Sequence, residues 1–546
     1  MSKVKCHVIS AIVTLIVAVV GFYFALPAIS FHNIDLYIDI IILCAVYSVL
    51  YLILSSKSGI TQIATGGKST IISFFKPVKV AAIIAGICLL VMIIGSLVGA
   101  VIFNASRYQK LLTVETGDFT EDVAQISYNQ IPTLDKDSAT MLGDRKMGEL
   151  SDMVSQFSIM TEYYTQINIK GQPVRVTPLK YVDIFKWFNN VKNGTPGYIK
   201  IDMVSQEVSL VRLEEGIKYS MADHFHRNLI RHIRFRYPTF IFDTPTFEVD
   251  DEGMPYWICP RIQYRIGLFS GKDINGAVLV NAITGESKYY TKDEIPNWVD
   301  RVYNADLIVE QYDYYGTLKH GFFNSIFGQK DSQVTTDGYN YIAMDDDVYM
   351  YTGVTSVTSD QSNIGFILSN QRTKETKYYE IPGATEYSAM NSAEGEVQNL
   401  RYTATFPLLL NIGNEPTYFI ALKDAAGLVK MYAMVNVQQY QIVAKGQSLQ
   451  ECETNYIKLL NEAGISDTVQ SGAQDLEYTG TITDIRTAVV DGNSQYYFTV
   501  SGAPKIFMMS VKQDNNIVAL NVGDTIKVAY QQTESAVAPA SSITLE

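Results

Sequence analysis

Residues 80–103 read VAAIIAGICLLVMIIGSLVGAVIF, 24 positions without a single charge. A hydrocarbon core of about 30 Å takes about 20 residues of helix, so this run is long enough to cross a membrane. Two more runs precede it: 7–30 (HVISAIVTLIVAVVGFYFALPAIS) and 36–54 (LYIDIIILCAVYSVLYLIL). Residues 104–546 contain nothing comparable. The pattern predicts a three-helix membrane anchor over residues 1–106 that carries one large body. Buried helices of a soluble protein would be shorter and less uniform. A cleaved signal peptide would have a shorter apolar run, and Ala25-Leu26-Pro27-Ala28 is a poor cleavage site.

Lysines set the expected topology. Lys3 and Lys5 precede the first run, and Lys57, Lys68, Lys76 and Lys79 lie between the second and third. The short connection after the first run has no Lys or Arg. The positive-inside rule then puts the N-terminus and the 55–79 loop in the cytoplasm and the body outside, with Arg107 and Lys110 weighing slightly against it. Gly95-Ser-Leu-Val-Gly99 is a small-xxx-small face, which predicts close helix–helix packing in the membrane through Gly95 and Gly99. The GGKST at 66–70 lacks the upstream glycine of a phosphate loop and reads as loop polarity.

The chain carries 43 Lys+Arg against 56 Asp+Glu, and only six lysines and two aspartates fall before residue 104. The body therefore holds 37 basic against 54 acidic residues. Such a surface repels phosphate backbones, which argues against nucleic acid as a partner. Only Cys259 and Cys452 lie in the body, too far apart for a metal or redox motif; one disulfide and two buried thiols both fit. Sparse cysteine suits a bacterial envelope.

Three segments of the body align without gaps: 199–211 (IKIDMVSQEVSLV), 278–290 (VLVNAITGESKYY) and 367–379 (ILSNQRTKETKYY). Each reads as strand, polar turn, strand. Upstream of the first two lie GQPVRVTP at 171–178 and GMPYWICP at 253–260, each preceded by a helical segment, 137–152 and 221–234. Fixed spacing of this kind signals internal duplication. The expected body is thus a series of tandem helix-plus-antiparallel-sheet units: 107–215, 216–300 and a diverged third over 301–465. The third would take its remaining strands from 404–442.

Strand patterns such as YIKIDMVSQEV and AVLVNAITGES resemble PepSY-type domains of bacterial envelope proteins, in which a helix packs on a small antiparallel sheet. That resemblance implies a binding or inhibitory role. It does not imply peptidase activity, since the chain has no H-E-x-x-H. Residues 466–535 hold short strands that resemble a small OB-like β-barrel, and 536–546 reads as a flexible tail.

No catalytic, metal or cofactor motif stands out. In DHFHRNLIRHIRFRYP (223–238), helical spacing puts His224, Arg227, Arg231 and Arg234 on one stripe, a candidate basic contact face. His224 and His226 are two apart and cannot share a helical face as a zinc pair. Asp345-Asp346-Asp347 and Asp250-Asp251-Glu252 lack the ligand spacing of a calcium loop and read as charged turns. These features predict a non-catalytic, membrane-anchored extracytoplasmic protein that binds or scaffolds another envelope protein. An envelope hydrolase acting on glycan or peptide, or a signal-receiving membrane subunit, are the alternatives.

Overall fold

The computed structural model describes residues 3–55, 78–126, 131–150, 153–358, 362–465, 476–490, 493–511, 515–530 and 537–545. The GGKST segment and most of the 55–79 loop lie outside the described residues. Helices α1 (Lys3–Ala25), α2 (Ile34–Ser55) and α3 (Lys79–Gly99) are each long and apolar enough to cross a membrane. Few of their side chains are covered by protein, which leaves their apolar surface for lipid. Ala100, extended at φ −60° and ψ 143°, separates α3 from α4 (Val101–Gln109).

Beyond α4 the chain forms a mixed α+β region of several sheets. After β1 (Val114–Thr116) and α5 (Phe119–Asp122), it repeats one topology four times. Unit one comprises α6 (Lys136–Glu149), β2 (Phe157–Ile159), β3 (Thr165–Ile169), β4 (Gln172–Tyr181), α7 (Ile184–Asn190), β5 (Thr195–Asp202) and β6 (Val208–Ile217). Unit two comprises α8 (Leu229–Arg236), β7 (Ile241–Phe242), β8 (Thr246–Val249), β9 (Pro255–Ile266), β10 (Ser270–Asn281) and β11 (Ser287–Thr291). Unit three runs α9 (Ala305–Thr317), β12 (Gln333–Thr335), β13 (Asn340–Met344), β14 (Asp347–Ser356), β15 (Gly365–Asn370) and β16 (Thr376–Tyr379). Unit four runs α10 (Glu386–Glu396), β17 (Thr403–Ala404), β18 (Leu408–Ile412), β19 (Glu415–Lys423), β20 (Val429–Asn436) and β21 (Val443–Gly446), and α11 (Leu449–Glu462) packs behind it.

The sheet orders are β2-β4-β5-β6, β7-β9-β10-β11, β12-β14-β15-β16 and β17-β19-β20-β21. In each, the remaining strand (β3, β8, β13 or β18) hairpins onto the second in the order. The expected third unit over 301–465 is therefore two units, and the strands at 404–442 belong to a fourth with its own helix. β1, placed by sequence in the first unit, pairs in parallel with β16 of the third. The helix expected over 221–234 begins only at Leu229, because Phe225–Arg227 is a 3-10 turn and the Asn228 side chain caps the helix at Arg231 N.

A shared turn marks all four units. At the end of the third strand in each order, an Asx side chain accepts two backbone N–H groups. Asp202 takes those of Val204 and Ser205, Asn281 those of Ile283 and Thr284, Asn370 those of Arg372 and Thr373, and Asn436 those of Gln438 and Gln439. Asx turns of this kind favour chain reversal at a strand end.

The sheets are shared walls. Trp257 and Cys259 face one core with Ile233 and Val278, while Ile258 between them faces a second with Ile308 and Ile367. Phe366 and Leu368 then enter a third core with Ala389 and Tyr418. Strands covered on both faces need apolar residues in succession, hence runs such as AVLV at 277–280.

The terminal strands are β22 (Leu476–Val490), β23 (Asn493–Val500), β24 (Ile506–Ser510), β25 (Thr525–Tyr530) and β26 (Val537–Leu545). β22 pairs with β23, β23 with β24, β24 with β26, and β25 with both β26 and β22. The tail expected to be loose is thus strand β26. Its pairing satisfies backbone groups that a free tail would leave to water.

Candidate functional site at the anchor–body junction

The basic stripe meets the anchor. Leu229 and Ile233 of α8 are buried against the sheets of units one and two. The opposite side of α8 reaches the end of α1. Arg231 Nε and Nη2 donate to Tyr23 O at 3.4 and 3.2 Å, and its guanidinium lies 4.2 Å from the Tyr23 ring centroid. Arg234 Nε donates to Leu26 O at 2.9 Å. These carbonyls close a helix whose last turn lacks intrahelical donors and carries partial negative charge, so two arginines there satisfy both needs. Burial pushes the Arg234 guanidinium down to about 10, which keeps it charged at neutral pH. Ile29 N also donates to Pro238 O at 2.8 Å.

The four stripe residues do not form one exposed helical face. His224 precedes the helix and packs edge-on against Trp187, 5.1 Å between ring centroids. Arg227 lies in the 3-10 turn and donates to Val191 O at the end of α7. Arg234 is buried. The sequence located the basic cluster and read it as a contact face, whereas two of its four residues, Arg231 and Arg234, bond the end of the protein's own α1.

Gly95 and Gly99 are also taken by the body. A Cβ on Gly95 would stand 2.6 Å from Phe269, and one on Gly99 would collide with Ser270. The tip of the β9–β10 hairpin fills the small-residue face that sequence assigned to a neighbouring helix. Gly267, at φ +61°, brings its backbone against Gly99. The other helices join in: Phe269 meets the Tyr37 ring at 5.7 Å, and His32 Nδ1 lies 2.9 Å from Leu268 O. Tyr108 of α4 donates to Gly99 O at 2.8 Å. Unit two therefore touches the ends of all three apolar helices on the side that continues into the body.

A second feature lies where the units converge. A cleft of about 480 Å³ is lined by turns of units one, three and four, including Gly171, Asp202, Asp345 and Asn411, together with Asp122 and Gln125 of the segment that leads into unit one. The acidic run resolves here. Asp345 and Asp346 form a two-residue hairpin turn at φ +50° and +64°, Asp346 accepts Gly171 N at 3.1 Å, and Asp347 pairs with Arg372. Among the described residues no cluster of His, Cys, Asp and Glu is arranged to hold a metal.

Between units one, two and three lies a buried acid pair that the sequence pattern does not single out. Glu248 accepts the N–H groups of Asp300 and Arg301 at 2.8 and 3.0 Å, and Asp300 accepts Asn168 N at 2.7 Å. Burial pushes the Glu248 carboxyl up to about 7, and burial together with Glu248 raises that of Asp300. Each carboxylate is spent on backbone donors from a neighbouring element, an arrangement that joins units. Cys259 and Cys452 are free, buried in separate cores, and their thiols are pushed up by burial.

No protein-family model matches the chain, and no curated protein matches it.

Proposed function

We propose that this is a non-catalytic, membrane-anchored binding or scaffold protein of the cell envelope, bacterial by the sparse cysteine, with its N-terminus cytoplasmic and its body outside. The observation that carries this reading is the junction. Unit two grips the ends of α1, α2 and α3 together, so the anchor is a seat that orients the body. A tether would need no such contacts. The lysines support the orientation: Lys3 and Lys5 lie in the first turn of α1 and Lys79 begins α3, at the helix ends away from the body, and Lys57, Lys68 and Lys76 fall between α2 and α3 in the sequence.

The repeated helix and antiparallel sheet support the PepSY-type resemblance and, with it, a binding role. The ring of pairings from β22 back to β22 supports the OB-like barrel reading. The partner is an envelope protein, and the cleft among units one, three and four is the seat we assign to it; the acidic balance of the body disfavours nucleic acid. The signal-receiving alternative draws on the same junction, since a shift of unit two would act on three helix ends at once.

Native mass spectrometry of the intact protein, taken from its own membrane in mild detergent, tests the reading. A stoichiometric foreign subunit is expected. A lone monomer or a homo-oligomer would overturn the scaffold proposal.

A further inference from the structure

Beside α1 the junction leaves a groove of about 430 Å³, lined by Tyr23, Phe225, Phe235, His226, Arg231 and Arg236. We propose that this groove binds the headgroup of an anionic phospholipid from the leaflet next to the body. The site does not depend on the scaffold reading.

Depth comes first. Phe235 packs edge-on against Phe22, 5.9 Å between centroids, and Phe22 lies within the last turn of α1. The groove therefore opens at the level where a membrane-spanning helix leaves the hydrocarbon, the zone of headgroups and aromatic belts.

Charge comes second. Arg231 donates to the carbonyls of Tyr23 and Phe225, and Arg236 to Gly285 O and Ser287 Oγ. Among the described residues neither guanidinium has a carboxylate within ion-pair distance, although the body carries 54 acidic residues against 37 basic. Guanidinium donors match phosphate oxygens in geometry as well as sign.

Backbone strain and the placement of phenylalanines agree. Phe225 sits at φ +51°, an unfavourable conformation for a bulky residue, with the residue 56% exposed and its carbonyl held by Arg231 at 2.9 Å. The strain presents an apolar ring at the groove rather than burying it. Among the described residues, the exposed phenylalanines of the body are Phe185, Phe188, Phe225, Phe235, Phe323 and Phe327. Trp187 joins Phe188 to Phe225. Phe323 and Phe327 come after α9, whose Tyr314 packs, with the following Leu318, on α4. Phe225, Phe235 and, through Trp187, Phe188 thus cluster beside the end of α1, where lipid would cover them.

The test uses the full chain in nanodiscs of mixed phosphatidylcholine and phosphatidylglycerol, extracted gently and weighed by native mass spectrometry for retained lipid. The wild type is expected to keep phosphatidylglycerol over phosphatidylcholine. Arg236→Gln, which removes a charge-assisted contact, should lower that retention about tenfold. Phe225→Gly should lower it too while relieving the backbone, so its melting temperature should hold or rise and exclude misfolding as the cause. Equal retention of the two lipids by the wild type, or unchanged retention in both variants, would overturn the proposal. Displacement of phosphatidylglycerol by excess inorganic phosphate would assign the groove to a soluble anion instead. An acidic protein retained in place of lipid would overturn it as well.

Discussion

The four units and the terminal strands solve the same packing problem in opposite ways. Each unit lends a face of its sheet to the next, so Trp257 and Ile258, adjacent in sequence, serve different cores. The terminal region keeps Phe498, Phe507 and Ile526 in a core that includes no residue of the units. Shared walls couple neighbours, as in other repeat arrays, while a self-contained core leaves its owner independent. The units should therefore melt together and the terminal strands separately.

The largest effect expected is in a shared wall. Trp257→Ala should cost about 3–5 kcal/mol and lower the melting of all four units at once. Phe507→Ala should lower only the terminal transition. Calorimetry of the full chain reads both, and an unchanged array in the first variant would break the comparison. Next comes the partly buried Lys374, whose ammonium bonds Asp273 Oδ1 at 2.6 Å, Gln311 Oε1 and Leu111 O, tying units two and three to the chain that follows α4. Lys374→Ala leaves Asp273 with Arg265 alone, at 3.4 Å, and should cost about 2–3 kcal/mol, seen as a lower denaturant midpoint.

Gly99→Val should act on the junction alone. Overpacking against Ser270 should cost about 1–3 kcal/mol and raise hydrogen exchange at residues 266–271 without moving the terminal transition. A smaller effect is expected at the Asx turns: Asn281→Ala should lose about 1 kcal/mol, with a matching loss at Asn370.

The pH dependence sharpens the same contrast. Glu248 has its carboxyl raised from 4.5 to about 7 in the folded state, so the fold favours the protonated form. The stability it contributes is complete below pH 4.5 and is lost as pH rises through about 7. Array melting should fall across that window, and Glu248→Gln should flatten the slope while Asp300 leaves a remnant. The terminal transition should not track it.

Much of this was legible in the residues. The three apolar runs stand out because lipid demands length and uniformity, and the hairpins at 278–290 and 367–379 share seven positions around their turns. The fourth unit is hidden because its turn, NVQQYQI at 436–442, keeps the Asn and little else of that pattern. An Asx at the strand end, sought at the unit spacing, was the signal that could have found it. The cleft and the Glu248–Asp300 pair had no sequence signal, since their members come from separate units.

By itself the sequence determined the three long apolar helices, the acidic balance of the body and the existence of a repeat. Those come from local period, composition and turn chemistry, which each short segment carries alone. Only the tertiary structure decided what the special residues face. Gly95 and Gly99 meet a hairpin instead of a helix, and Arg231 and Arg234 of the expected contact face meet the end of α1. A small-residue face or a basic stripe specifies how close and how charged a neighbour must be. Which neighbour fills it depends on how distant segments fold together.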